Sequence, residues 1–397
     1  MVIAFSKEVG SGISAKGAIQ QLFMFSEWMG LIGLFLIVRV GQMLLIAGSV
    51  RSKNAAGVCV RLLLDVAVVG LVLWGVGGLF VGGSSGDVIV WSNWLGMGDT
   101  STLAWFQLPL ILLATAAIHG STVERVRTLP VLVTSGLLAA VIPMMLRFLS
   151  WGGDVNETGL VLTIGGTSAL VGTMMVGARR GKFNRDLSAN FVPGHHLVFQ
   201  LLGIMVLMGA FSGISHRPTG VLICTCCAIL TAGAFGKVKF GKIDPGLLVA
   251  GTLGGMCAGS SGSGPDWLAF LVGIGIGVLV PWLVMLLEVR FRLDDPIGAI
   301  PTHLVGGAVG LWVGGVVDWV QSEWSLGRGI EALVLPVIGV LVGALVSGGV
   351  FYAFKRMNGL RLSESAEFDG IDLFELDVNA YPDFQQTMIK SYHLREL

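Results

Sequence analysis

The chain of 397 residues is strongly apolar: 54% of its residues are hydrophobic, 13% are charged, and the mean hydropathy is +0.81. A soluble domain carries about 25% charged residues, so these values exclude a soluble enzyme, a secreted disulfide scaffold and a disordered chain. The formal net charge is zero, which argues against nucleic acid as a partner.

Eleven stretches are long and apolar enough to cross a lipid bilayer, which takes about 20 residues. In chain order they cover residues 27–50, 58–81, 103–123, 129–149, 158–177, 196–214, 219–235, 247–262, 267–287, 299–320 and 332–354. No long polar segment separates them. We therefore predict an all-α, multi-pass membrane domain at 25–357, preceded by a lead-in at 1–24 and followed by a cytoplasmic tail at 358–397.

Basic residues follow every odd-numbered stretch, and the opposite connections contain few of them. The basic groups are Arg51 and Lys53; Arg125 and Arg127; Arg179, Arg180, Lys182 and Arg185; Lys237, Lys239 and Lys242; Arg290 and Arg292; Lys355, Arg356 and Arg361. Because positive loops stay in the cytoplasm, this pattern predicts an outer N-terminus and a cytoplasmic C-terminus. Absence of an organelle-targeting segment favours the cell (inner) membrane.

The titratable side chains offer no catalytic or metal-binding pattern. The cysteines Cys59, Cys224, Cys226, Cys227 and Cys257 lie in or beside apolar runs without neighbouring histidine pairs, so we interpret them as packing residues. No nucleophile with a convergent base is evident. We therefore expect no enzyme activity, no cofactor and no metal.

Two charged residues fall inside predicted membrane stretches. Arg39 and Asp65 lie at similar depth in the first two stretches, which a short loop joins. Charges in a membrane are costly and are usually paired, so we predict a structural Arg39–Asp65 ion pair, with a pore role as the alternative. His119, in the third stretch, is expected to be a core or interfacial residue, and His195 and His196 to cap the sixth.

Several short strings occur in one order and spacing along the chain. They are Phe106-Gln107, Ile118-His119-Gly120-Ser121-Thr122-Val123-Glu124-Arg125, Trp151-Gly152-Gly153-Asp154, Leu293-Asp294-Asp295, His303-Leu304-Val305-Gly306-Gly307 and Gly370-Ile371-Asp372. With these strings the chain resembles the ammonium transporter family (the Amt/Mep/Rh proteins) from about residue 25 to 382. No single string is specific to the family, but their shared order and spacing along the chain are.

The resemblance implies two five-helix halves of inverted topology, an eleventh bracing helix, and a homotrimer with one pore per subunit. It implies ammonium, ammonia or a similar small species as the substrate, and a tail that packs on the cytoplasmic face, where a regulatory protein could bind. By the same resemblance, Asp154 supports cation recruitment at the outer mouth, with a helix cap as the alternative. His303 would be one of two facing pore histidines, with a plain core residue as the alternative.

The chain departs from the family pattern inside the pore. Ungapped alignment places Leu162 where the first pore histidine belongs and Leu110 at one gate phenylalanine, although Phe106 is kept one turn earlier. Ile214 would replace the second gate phenylalanine. Aromatic cation binding and a two-histidine proton relay would then both be impaired, which leaves a non-transporting sensor or an accessory membrane subunit as alternatives to a transporter.

Overall fold

The computed structural model describes residues 15–81, 89–98, 101–149, 156–186, 188–262, 264–322 and 326–382. These residues form long helices and no strand longer than an isolated bridge. The predicted site residue Asp154, the first part of the lead-in and the end of the tail lie outside the described ranges.

Eleven of the described helices have 15 or more residues. They are α1 Ala15–Ser49, α2 Ala55–Gly75, α3 Leu108–Thr122, α4 Thr128–Leu149, α5 Glu157–Val176, α6 Leu197–Ile214, α7 Pro218–Phe240, α8 Pro245–Ser261, α9 Asp266–Val289, α10 Gly306–Gln321 and α11 Leu326–Arg356. A π-helical turn, Ile300–Val305, leads into α10. The tail adds two short helices, α12 Glu364–Asp369 and α13 Ile371–Leu376.

Ten helices within the described ranges are long and apolar enough to cross a membrane. The helix missing from this set is α8, which has 17 residues, so the count of eleven spans stays a prediction. One difference from the predicted boundaries lies at the start, where α1 begins at Ala15 inside the expected lead-in. The run from Ala15 to Met24 contains no proline to stop a helix.

Helix packing follows the same scheme in the two halves of the bundle. In the first half α3 packs on α5 and α2 on α4; in the second half α8 packs on α10 and α7 on α9. The halves meet where α1 packs along α6 and α5 packs against α10. The last long helix, α11, lies against α5, α10 and α4, which is the position of a bracing helix.

The outer surface of the bundle is apolar, as contact with lipid requires. Leu71 is 67% exposed and Leu345 is 74% exposed, whereas polar side chains such as Thr163 and Ser168 are buried. Cys226 is also exposed, so the packing role predicted for all five cysteines is wrong there. Cys224 and Cys257 are buried as expected.

The described part of the tail is docked against the start of α2. The Asp372 carboxylate accepts hydrogen bonds from the backbone N–H groups of Ala56 (3.0 Å) and Gly57 (2.6 Å). These are unpaired donors at a helix N-terminus, where a negative charge is stabilised. Arg61 adds an ion pair to Glu375 at 2.9 Å. This segment of the tail is therefore packed on the membrane domain and not extended into solvent.

Candidate functional site

The site is built around His303, which lies in the π-helical turn before α10 and is 4% exposed. Single π-helical turns are rare and occur frequently at functional sites. Helix α5 approaches this turn closely at Gly166, where an added Cβ would collide with the backbone nitrogen of Leu304. Glycine at this position is thus what allows α5 and the histidine-bearing turn to pack.

A narrow cavity of about 10 Å³ lies beside the imidazole, which is room for about one water molecule. Its apolar walls come from several helices and include Leu113 of α3, Leu207 and Phe211 of α6, and Leu253 of α8. Helix α1 contributes Gln42. The cavity therefore lies between the two halves of the bundle, with the imidazole in its wall.

The hydrogen bonds of the π-helical turn define which ring nitrogen carries the proton. Thr302 Oγ1 lies 3.0 Å from His303 Nδ1 and donates its own proton to the carbonyl of Gly298 at 2.8 Å. A hydroxyl has one proton to donate, so Thr302 Oγ1 accepts from Nδ1–H. With the hydroxyl proton on the Gly298 carbonyl, this network favours the Nδ1–H tautomer, in which Nε2 is a hydrogen-bond acceptor.

Two predicted pore positions, Leu162 and Leu110, are buried but do not line the cavity. Leu162 of α5 is fully buried and packs against Gly307 of α10, one helical turn beyond His303. Leu110 of α3 is buried in the same apolar core. At these positions the described structure has leucine packing and no second imidazole.

The other predicted gate residues do not line the cavity. Phe106 is 43% exposed and its ring lies 5.8 Å from that of Trp28. Ile214 is the last residue of α6, whereas Phe211, three residues earlier, faces the cavity. Phe211 is therefore the residue of this turn that lines the cavity, and the gate role of Ile214 stays a prediction.

The intramembrane charges form a buried cluster at the junction of α1, α2 and α3. Arg39 Nη2 donates to Asp65 Oδ2 at 2.7 Å, which is the ion pair predicted from the sequence. Thr115 donates to the same oxygen at 2.6 Å, and His119 Nε2 lies 3.1 Å from Asp65 Oδ1. Sequence reasoning identified neither partner, although the i, i+4 spacing of Thr115 and His119 places both on one face of a mostly apolar helix.

A wider cavity of about 270 Å³ opens on the side of the basic connections. Asp294 and Asp295 lie in its wall, and Ile297 lines both this cavity and the one beside His303. Burial opposes ionisation of Asp294, but hydrogen bonds from Arg179 and the charge of Arg125 outweigh it and lower its pKa to about 2. Burial raises the pKa of Asp295 to about 6, despite a backbone N–H from Ile300.

An apolar helical bundle that places a buried imidazole beside a one-molecule cavity, with a wider polar cavity next to it, is the architecture of a membrane channel or transporter. The family model described as Ammonium Transporter Family matches residues 27–381. The chain therefore belongs to the ammonium transporter family and is a multi-pass membrane protein.

Relatives and solved structures agree with this assignment. The chain is 27% identical to ammonium transporter Amt2 of Archaeoglobus fulgidus, covering 88% of this chain and 86% of the relative. It is 28% identical to ammonium transporter Amt1 of Methanocaldococcus jannaschii, with 88% and 95% covered. Two solved structures share the fold: a Sensor Amt Protein (TM-score 0.77, 23% identity, 88% and 96% covered) and Candida albicans Mep2 (TM-score 0.71, 18% identity, 85% and 86% covered).

Proposed function

We propose that the protein conducts ammonia, drawn from ammonium, through a pore in each subunit of a homotrimer in the cell membrane, and that it is not an enzyme. The observation that carries the proposal is the buried His303 imidazole at a cavity of about 10 Å³. Ammonia is close to water in size, and this volume accommodates one such molecule. The relatives named as ammonium transporters supply the substrate class.

The cavity favours a neutral species over a cation. Its wall contains aliphatic side chains and the Phe211 ring, and among the described residues no carboxylate lines it. Moving an unpaired charge from water into such surroundings is very unfavourable. Since Leu162 stands where a second imidazole would be needed to pass a proton, we expect ammonium to leave its proton outside and ammonia to cross.

Leu162 also favours the alternative of a sensor, which would bind ammonium without conducting it. A solved structure named Sensor Amt Protein has the same fold, although a likeness at 23% identity concerns the fold alone. The two functions differ in flux and not in binding. Flux is therefore the quantity that decides between them.

The test is to reconstitute the purified protein in liposomes and apply an ammonium gradient. We expect the internal pH to rise faster than in protein-free liposomes, with little net current. His303→Ala should abolish the additional flux, and the matched control His216→Ala, at an exposed position between α6 and α7, should leave it unchanged. Flux equal to that of protein-free liposomes, together with ammonium binding by the purified protein, would instead establish the sensor.

Assembly and regulation are part of the same proposal. The basic connections support an outer N-terminus and a cytoplasmic tail. On that tail Phe368 and Phe374 are 79% and 53% exposed, and exposed aromatic side chains are typical of interaction surfaces. We therefore expect the tail to contact a neighbouring subunit or a cytoplasmic regulatory protein.

The mass of the purified particle, measured by light scattering with the detergent subtracted, tests the trimer.

A further inference from the structure

Gln42 of α1 is the second polar side chain in the wall of the cavity beside His303; every other described residue that lines it is apolar. The side chain is 3% exposed. Its position in the first helix lies outside every string by which the sequence resembles the family. Sequence reasoning did not identify it, because a single glutamine in an apolar stretch carries no signal of which way it faces.

The orientation of the Gln42 amide follows from its surroundings. Nε2 donates to the backbone carbonyl of Leu112 in α3 at 3.0 Å. A flipped amide would bring its own carbonyl against that carbonyl, and two acceptors cannot bond to each other. The amide group is therefore held with Oε1 on the side away from Leu112.

Gln42 Oε1 is buried and has no hydrogen-bond partner among the described residues. Buried polar atoms are almost always hydrogen-bonded, and an unpaired one needs an explanation. Because this residue lines a cavity large enough for about one small molecule, a bound donor of that size would satisfy the atom.

We propose that Gln42 Oε1 and His303 Nε2 form a pair of hydrogen-bond acceptors that binds ammonia in the pore, so that the site has two polar contacts without a second imidazole. This inference rests on the proposed function and names the substrate contacts of that same site. Ammonia has three N–H donors, and two of them match the two acceptors. Both acceptors are neutral, in agreement with passage of a neutral molecule.

The test compares Gln42→Leu with wild type in the liposome assay. Loss of one neutral hydrogen bond to the substrate should lower the ammonia-dependent rate of pH change about fivefold. The control is Gln200→Leu, which removes a similar bond from a glutamine amide to a backbone carbonyl of α1, Gly48 O at 2.8 Å. Gln200 lines the wider cavity, where a substrate keeps its water, so we expect a change below about twofold.

Folding is checked by the unfolding temperature of each variant. If Gln42→Leu is not obtained folded, Gln42→Asn replaces it, because the shorter side chain keeps an amide but withdraws the carbonyl from the cavity; the same loss of rate is expected. A folded Gln42 variant that conducts at the wild-type rate would overturn the inference while leaving the proposed function intact.

A wild-type protein that does not conduct would contradict the proposed function, and binding then decides the inference. The measurement is the rise in unfolding temperature on adding ammonium chloride, with sodium chloride as the reference salt. A rise that is present in wild type and Gln200→Leu but lost in Gln42→Leu supports the acceptor pair. Absence of a rise in wild type, or an equal rise in Gln42→Leu, overturns it.

Discussion

The Arg39–Asp65 pair allows a direct measurement of how strongly buried charges constrain this bundle. Asp65→Asn removes the partner of Arg39, which is 4% exposed and whose Nε and Nη1 atoms already lack hydrogen-bond partners among the residues that the structure describes. Removing one member of a buried pair typically costs 3–5 kcal/mol, since the other charge stays buried. We expect a loss of about 4 kcal/mol in the free energy of unfolding.

The opposite change should cost less, because Asp65 has other partners. In Arg39→Met the carboxylate keeps the Thr115 hydroxyl at 2.6 Å and the His119 imidazole at 3.1 Å. We therefore expect a loss of about 2 kcal/mol. The double variant contains neither charge, so it should be more stable than Asp65→Asn alone.

The assay is reversible unfolding in mixed micelles of increasing SDS content, followed by circular dichroism, for wild type, both single variants and the double variant. A matched control is Arg217→Met, which removes an arginine from an exposed ion pair with Asp266 at 3.4 Å and should cost no more than about 1 kcal/mol. If the double variant lost the sum of the two single losses, the charges would not be coupled, and the argument for a buried, mutually dependent pair would be refuted.

Three further substitutions test the packing of the bundle, the protonation of a buried carboxyl group and the docking of the tail. Gly166→Ala should lower the free energy of unfolding by about 1–3 kcal/mol, since the added Cβ would collide with the backbone of Leu304. The control Gly209→Ala, with nothing within 4 Å of the added Cβ, should cause no such loss. Thermal unfolding of both variants measures the difference. Burial raises the pKa of Asp295 to about 6, so the folded protein binds the carboxyl proton of Asp295 more tightly than the unfolded chain does. The free energy of unfolding should therefore fall by about 1–3 kcal/mol as the pH rises from about 4 to 6. Asp295→Asn should flatten that part of the stability profile, and an unchanged slope would contradict the assignment. Asp372→Ala removes the acceptor that holds the tail to the first turn of α2, so limited proteolysis should cleave the tail faster than in wild type; equal rates would show that the other contacts suffice.

Features that depend on position along the chain were predictable from the sequence. The Arg39–Asp65 pair followed from equal depth in two helices joined by a short loop, and it forms at 2.7 Å. His303 followed from its spacing to Asp294 and Asp295 within the family resemblance. In each case the position along the chain predicts the depth of the residue in its helix, and the direction in which its side chain points is not needed.

Features that depend on helix rotation were not predictable. Helix α6 has apolar residues on every side, so periodicity does not show which of its side chains face the cavity, as Phe211 does. The same ambiguity concealed Gln42 in α1. The π-helical turn at His303, against which α5 packs at Gly166, was also missed.

The charges and the cavity of this bundle are separated although they share a helix. Arg39 lies three residues before Gln42 on α1, yet its guanidinium pairs with Asp65 on α2 and the charged cluster is closed by Thr115 and His119 of α3. The cavity wall is thereby left with neutral polar groups, the Gln42 amide and the His303 imidazole, among apolar side chains. A cation in that cavity would have no counter-charge in the wall, whereas a neutral hydrogen-bond donor would have acceptors. The predicted replacement of a second imidazole by Leu162 is therefore compatible with passage of ammonia, since that passage requires hydrogen-bond acceptors and exclusion of water but no proton relay within the cavity.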